Sequence, residues 1–148
     1  MGEVIGKELP PSALNFIRGG RIAIVATVDK DGIPNTAPFS WLAAVDSHTV
    51  RLGINEDVAT LDNIRQNGHV SITMTAPDLH ITFKGTARVI KDSLPEAPIP
   101  TAVVEIAVEH VKDDAIMGRA ANGDDRVRWN DRRRLLSDRT VVQALLKA

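Results

Sequence analysis

Apolar and polar residues alternate with period two along most of this chain, and that alternation predicts half-buried strands. Val50, Leu52 and Ile54 alternate with Arg51 and Gly53, and Val70, Ile72 and Met74 with Ser71, Thr73 and Thr75. A longer run sets Ile81, Phe83, Gly85, Ala87 and Val89 against Thr82, Lys84, Thr86 and Arg88. Val104, Ile106 and Val108 alternate with Glu105 and Glu109. Two earlier stretches complete a set of six. Arg21 to Val28 is rich in Ile and Val and reads as a buried strand. Ile33 to Val45 reads as the next, with Pro34 and Pro38 marking an edge or an irregularity, because proline donates nothing to a ladder. Asp29-Lys30-Asp31-Gly32, Asp46-Ser47 and Pro77-Asp78 carry turn chemistry between these runs.

Helical spacing occurs in three places. Ala13, Leu14, Phe16 and Ile17 follow Pro10-Pro11-Ser12, with Ser12 as candidate cap and Gly19-Gly20 as the stop. Val58, Leu61 and Ile64 stand three apart, between a candidate cap at Asp57 and a stop at Gly68. Leu135, Val142, Leu145 and Leu146 predict a terminal helix over Arg132 to Lys147. Lys91 to Pro100, with Pro95 and Pro98, reads as a loop, and so does polar Asp113 to Asp131. Most strand connections are too short for parallel crossovers, so the pattern predicts a mainly β, six-stranded, closed antiparallel barrel. It forms one domain, a barrel core over 12–111 followed by a loop and helix over 112–148.

Composition changes this picture little. At 148 residues, 43% hydrophobic and 25% charged, the chain is long enough to bury a core. The net charge of −1 opposes a broad electrostatic grip on nucleic acid or an acidic membrane. With no cysteine, disulfides, thiolate metal sites and thiol catalysis are excluded. Met1 to Pro10 carries Glu3, Lys7 and Glu8 and does not read as a leader, and no later stretch reads as a membrane span, so the expected compartment is the cytoplasm.

The candidate chemistry centres on Gly53 to Asn63, where an apolar strand breaks into a polar loop that opens a helix. Free backbone N–H groups and the positive dipole end make such a junction an anion site; an ordinary capped helix explains the same residues. Gly53 inside a strand reads either as a bulge or as a place where a flat ligand lies. Phe39 and Trp41 read as lying on one side of their strand. The histidines 48, 69, 80 and 110 are scattered and form no metal-ligand pair. Ser40 lacks the context of a nucleophile elbow. Arg126, Arg128, Arg132, Arg133 and Arg134 surround Trp129, a run able to meet a nucleic-acid strand, a partner subunit or an anion. Interleaved Asp124, Asp125 and Asp131 make a solvated face the commonest outcome for such a run.

The order of these pieces resembles the FMN-binding split barrels related to pyridoxamine 5′-phosphate oxidase. The resemblance is carried by Gly20 to Val28, Asp31-Gly32-Ile33-Pro34-Asn35, Ser40-Trp41, Thr60-Leu61-Asp62-Asn63-Ile64-Arg65 and Phe83-Lys84-Gly85-Thr86-Ala87. It implies a split-barrel homodimer with two FMN sites at the subunit interface and a small-molecule electron donor or acceptor. Position by position, it implies Pro38, Phe39 and Ser40 beside the flavin ring, Gly53, Ile54 and Asn55 on the third strand and its loop, Ala59 and Thr60 at the phosphate, and Asn63 one turn on. Relatives of this fold also carry a deazaflavin or haem, and some serve as carriers without a dedicated substrate. The terminal substrate-binding segment of pyridoxamine 5′-phosphate oxidase itself has no clear counterpart after Val111. The family commonly has a Lys or Arg at or just before the Thr60 position; here the text is Val58-Ala59-Thr60, beside Asp57. Arg51, Lys84 and Arg65 are the nearest basic residues able to supply that charge.

Overall fold

The computed structural model describes residues 2–56, 58–77, 79–114, 119–121, 127–129 and 132–147, with side chains described to Asp114 and again from Thr140 to Lys147. Its elements are β1 Glu3–Gly6, α1 Pro11–Arg18, β2 Ala23–Val28, β3 Pro34–Phe39, β4 Leu42–Ala44, β5 Thr49–Asn55 and α2 Ala59–Asn67. They continue with β6 His69–Ala76, β7 Leu79–Lys91, β8 Thr101–Asp113, β9 Arg119–Ala121, β10 Val127–Trp129 and α3 Arg132–Lys147. Strands β3-β2-β6-β7-β8-β5-β4 form one antiparallel path, and β1 pairs with β8.

The first and last strands of that path, β3 and β4, are joined through Ser40 and Trp41 alone. Three Cα steps span at most roughly 11 Å. The sheet must therefore curl until its two edges meet, although no ladder bonds join them. This is a split barrel, and its seam runs between β3 on one side and β4–β5 on the other. The expected six strands become seven on the path because Ile33 to Val45 breaks at Ser40-Trp41. Strand β1 adds an eighth, which a run as short as Glu3–Gly6 does not announce. A further difference lies in 113–131, expected as loop, where β9 pairs with β10. Two three-residue strands carry too little alternation to be seen. Asp57, Asp78, Asp124, Asp125, Arg126 and Asp131 lie outside the described residues.

The core follows the period-two pattern. Val25, Val50, Leu52, Ile54, Ile72, Met74, Phe83, Val104 and Ile106 are completely buried. Strand β2 is not buried on both faces as expected: Ile24 and Val28 are 42% and 37% exposed, because an antiparallel sheet can leave one face open to solvent. Gly85 sits beside a bulge, since Lys84 pairs with His110 but Gly85 with Val108, leaving Glu109 as the extra residue. A Cβ on Gly85 would overlap the Ala107 carbonyl.

Helix α1 starts at Pro11 with Pro10 at the cap position and Ser12 inside the first turn. Proline's fixed φ and missing donor suit that start better than a hydroxyl cap does. Helix α2 plugs the barrel against β2, β3, β5 and β7. Leu61 and Ile64 are buried beneath it, and Val58 packs partly on the same core. Val58 occupies the N-cap with no side-chain cap bond. At the far end Gly68 takes φ +71°, where a Cβ would also lie 2.8 Å from the Ala87 carbonyl oxygen.

Candidate functional site

The sequence-predicted cofactor residues are spread along the seam and the start of α2, and of them only Gly53 lines the cavity beside Trp41. Gly53 N–H donates to the Trp41 carbonyl at 2.9 Å, holding the end of β5 against the β3–β4 bend. Pro38, Phe39 and Ser40 lead into that bend. Asn55 ends β5, and its carbonyl accepts from Val58 N–H at 3.3 Å where the chain turns into α2. Asn35 Nδ2 on β3 donates to Thr60 Oγ1 at 3.2 Å, tying the start of α2 to the other lip.

Those residues do not all face outward. Pro38, Ser40 and Ala59 are exposed, and Gly53 and Asn55 are half-buried. Phe39 packs against the core, opposite buried Ala23. The side chain of Ile54 is wholly in the core, so only its backbone is available to a ligand. Thr60 is 1% exposed and Asn63 5% exposed. Asn63 Nδ2 donates at 3.0 Å to Thr27 Oγ1, itself 2% exposed, so its amide fastens α2 to β2.

The bend also separates the two aromatics expected on one side. Phe39 turns inward, while Trp41 lies on the outer face in line with Ala43, Arg51 and Gly53, 46% exposed. Gly53 is neither a bulge nor bare. Its register is continuous with Val103, and a Cβ there would stand 3.3 Å from Trp41 Cε3 and 3.4 Å from Thr101 Cγ2. The flat group over Gly53 is this indole.

Beside the indole opens a cavity of about 610 Å³, a size usual for small-molecule and cofactor sites. Its floor is Gly53, Ala43 and Val103, its wall Trp41, and its roof the 92–100 loop through Leu94, Ala97 and Pro98. Arg51, Lys91 and Glu96 supply its charge. The loop reads in sequence only as a connection; its apolar Leu94 and Ala97 among prolines and charges were the signal that it covers something. Its end reaches the α2 entrance, where Glu56 N–H donates to the Pro100 carbonyl at 3.3 Å.

The electrostatics on this face centre on Glu105. Arg88 Nη2 donates to Glu105 Oε1 at 3.0 Å, and Arg51 Nε and Nη2 donate to Oε2 at 3.1 and 3.0 Å. Hydrogen bonds from Arg88 first and Arg51 second hold the carboxyl below the ordinary value of 4.5. Lys84, exposed on β7, pairs in register with Ser71 and His110. Arg65 lies in the last turn of α2, 3.6 Å from Asp92. His48 contacts Glu8 at 3.0 Å. Among the described residues no group of three or more His, Cys, Asp or Glu could hold a metal, and no helix is long and apolar enough to cross a membrane. The side chains of Arg128, Trp129 and Arg132 to Arg134 lie outside the described set.

Comparison with known proteins places this geometry. The family profile described as pyridoxamine 5′-phosphate oxidase matches residues 9–115. A search of curated proteins finds no match. Among solved structures, a protein of Lactobacillus delbrueckii assigned as a pyridoxamine 5′-phosphate oxidase aligns with TM-score 0.67 and 21% identity, over 75% of this chain and 98% of that one. HupZ of Group A Streptococcus aligns with TM-score 0.61 and 28% identity, over 70% of this chain and 91% of that one. An FMN-binding protein of Syntrophomonas wolfei aligns with TM-score 0.56 and 17% identity, over 70% of this chain and 85% of that one.

Proposed function

The chain belongs to the pyridoxamine 5′-phosphate oxidase family, and on that premise we propose that it binds a flavin-type cofactor, FMN, as an oxidoreductase acting on a small molecule. The observation that carries the reading is the 610 Å³ cavity at Gly53, between Trp41 and the 92–100 loop. The donor set fits a flavin ring. Ala43 and Val103 make an apolar floor, and the indole, seated over Gly53 where the missing Cβ lets it approach, makes a planar wall. Arg51 and Lys91 face the same space and would meet the polar edge of the ring. Asn55, Ala59 and Thr60 lie beyond, at the α2 end, where the Ala59 and Thr60 amides would meet a phosphate while Leu61 N–H is held by the Val58 carbonyl at 3.1 Å.

When bound, the flavin supplies the hydride and electron chemistry, while the protein binds it, orients it and controls what reaches it. Trp41 and Leu94 line one side of the cavity. Glu105 fixes the direction of Arg51.

The assembly we propose is a homodimer. Ile22, Ile24, Val28 and Ile33 leave an exposed apolar face on the β2–β3 side, close to the seam, and a second copy is the simplest cover for it. The compartment proposed is the cytoplasm. The test is the visible spectrum of the purified protein and a titration of its apo form with FMN, followed by NADH or NADPH and a small acceptor. Binding with turnover supports the enzyme. Binding without turnover favours a flavin carrier. A preference for deazaflavin reassigns the cofactor, and no spectral change at micromolar protein removes the reading.

A further inference from the structure

We infer that this site recognises its flavin by the ring and not by the phosphate, so that riboflavin binds it about as well as FMN. The inference deepens the flavin reading above and rests on it.

Four observations carry it. First, from Leu52 to Ile64 the chain has no lysine or arginine, yet it has Glu56, Asp57 and Asp62. Glu56 and Asp62 are exposed on either side of the α2 start. Second, the polar side chains of that helix start are spent inward. Thr60 is buried and accepts from Asn35, Asn63 is buried against Thr27, and Val58 at the cap has no hydrogen-bonding side chain. Third, among the described residues the cations lining the cavity are Arg51 and Lys91, and neither stands on the β5–α2 junction: Lys91 pairs with Val103, two strands across from Gly53. Three residues of β5 lie between Arg51 and Asn55, four steps and about 13 Å of strand. Fourth, the one arginine of α2, Arg65, is in its last turn beside Asp92.

A phosphomonoester carries nearly two negative charges and is held tightly by charge-assisted donors. Here the α2 amides and a fractional dipole face it, with carboxylates on both flanks. Attraction and repulsion come close to cancelling, and the ring contacts remain. Two charge-assisted bonds to phosphate would instead favour FMN by on the order of 100-fold or more.

The experiment compares riboflavin with FMN by quenching of flavin fluorescence on the apo full-length protein, at low and high potassium chloride. Dissociation constants within about threefold of each other, with FMN binding not weakened by salt, are expected. The variant Ala59→Lys places a cation at the exposed first residue of α2. It is expected to favour FMN over riboflavin by about tenfold. Tenfold or greater preference for FMN in the unmodified protein overturns the inference and leaves the flavin reading standing. An Ala59→Lys variant that folds, binds riboflavin and gains no FMN preference also overturns it, since the phosphate end is then elsewhere. Binding of neither flavin overturns the flavin reading itself.

Discussion

Replacing Asn63 by alanine separates two roles that one residue can have. Its amide lies 3.0 Å from the Thr27 hydroxyl, and both residues are almost completely buried. In Asn63→Ala the hydrogen bond is lost and the Thr27 hydroxyl is left in the core without that partner, which costs about 2 kcal/mol. For a domain of this size each kcal/mol moves the midpoint by about 2–4 °C, so thermal unfolding should shift down by about 4–8 °C. Thr27→Val strands the amide instead and should cost a similar amount. The double variant should cost less than the sum by about 1 kcal/mol, because both ends of the bond are then gone. Circular dichroism melts of the four apo proteins measure this. A flavin titration of the folded variants completes the test: affinity should change by less than about threefold. A melt shifted by under a degree, or a stable variant that has lost flavin binding, refutes the reasoning and returns Asn63 to the ligand.

Gly85→Ala should be among the most damaging single methyl additions, because the new Cβ meets backbone at the Ala107 carbonyl; a loss of about 3 kcal/mol in urea unfolding is expected. Glu105→Gln tests the Arg51–Glu105–Arg88 cluster through pH. The folded carboxyl titrates below its ordinary value of 4.5, so its stabilisation is present above that pH and disappears as pH falls through the lowered value. The midpoint gap between wild type and Glu105→Gln should therefore be largest above pH 4.5 and close at more acid pH; a gap that widens in acid contradicts it.

Much of the fold is legible because period two is a strong signal where one face is buried. Val50-Leu52-Ile54 and Ile72-Met74 state their inward faces outright, and Leu61 with Ile64 does so at helical spacing. What the residues do not reveal is set by contacts distant in sequence. The break at Ser40-Trp41 depends on β4 finding β5. The expected cap at Asp57 gives way to Val58 at the cap position, because Leu61 and Ile64 fix how α2 enters the barrel. The roles of the candidate site residues are less legible. The strand–loop–helix junction identifies the seam. Ile54, Thr60 and Asn63 carry plausible ligand chemistry, yet their side chains are used inside the protein. Trp41 over Gly53, and the 92–100 loop above the cavity, become visible only once β4, β5 and β8 lie side by side.

The central claim is that a flavin ring lies in the cavity at Gly53, and blocking that cavity tests it most directly. Ala97→Trp, on the roofing loop and away from the barrel ladder, puts a large side chain into the space. FMN titrated into the apo wild type should give a saturable change in flavin absorbance. In Ala97→Trp that change should weaken by at least about tenfold with the unfolding midpoint retained. Equal affinity in the two folded proteins would put the flavin, if bound, somewhere other than this cavity.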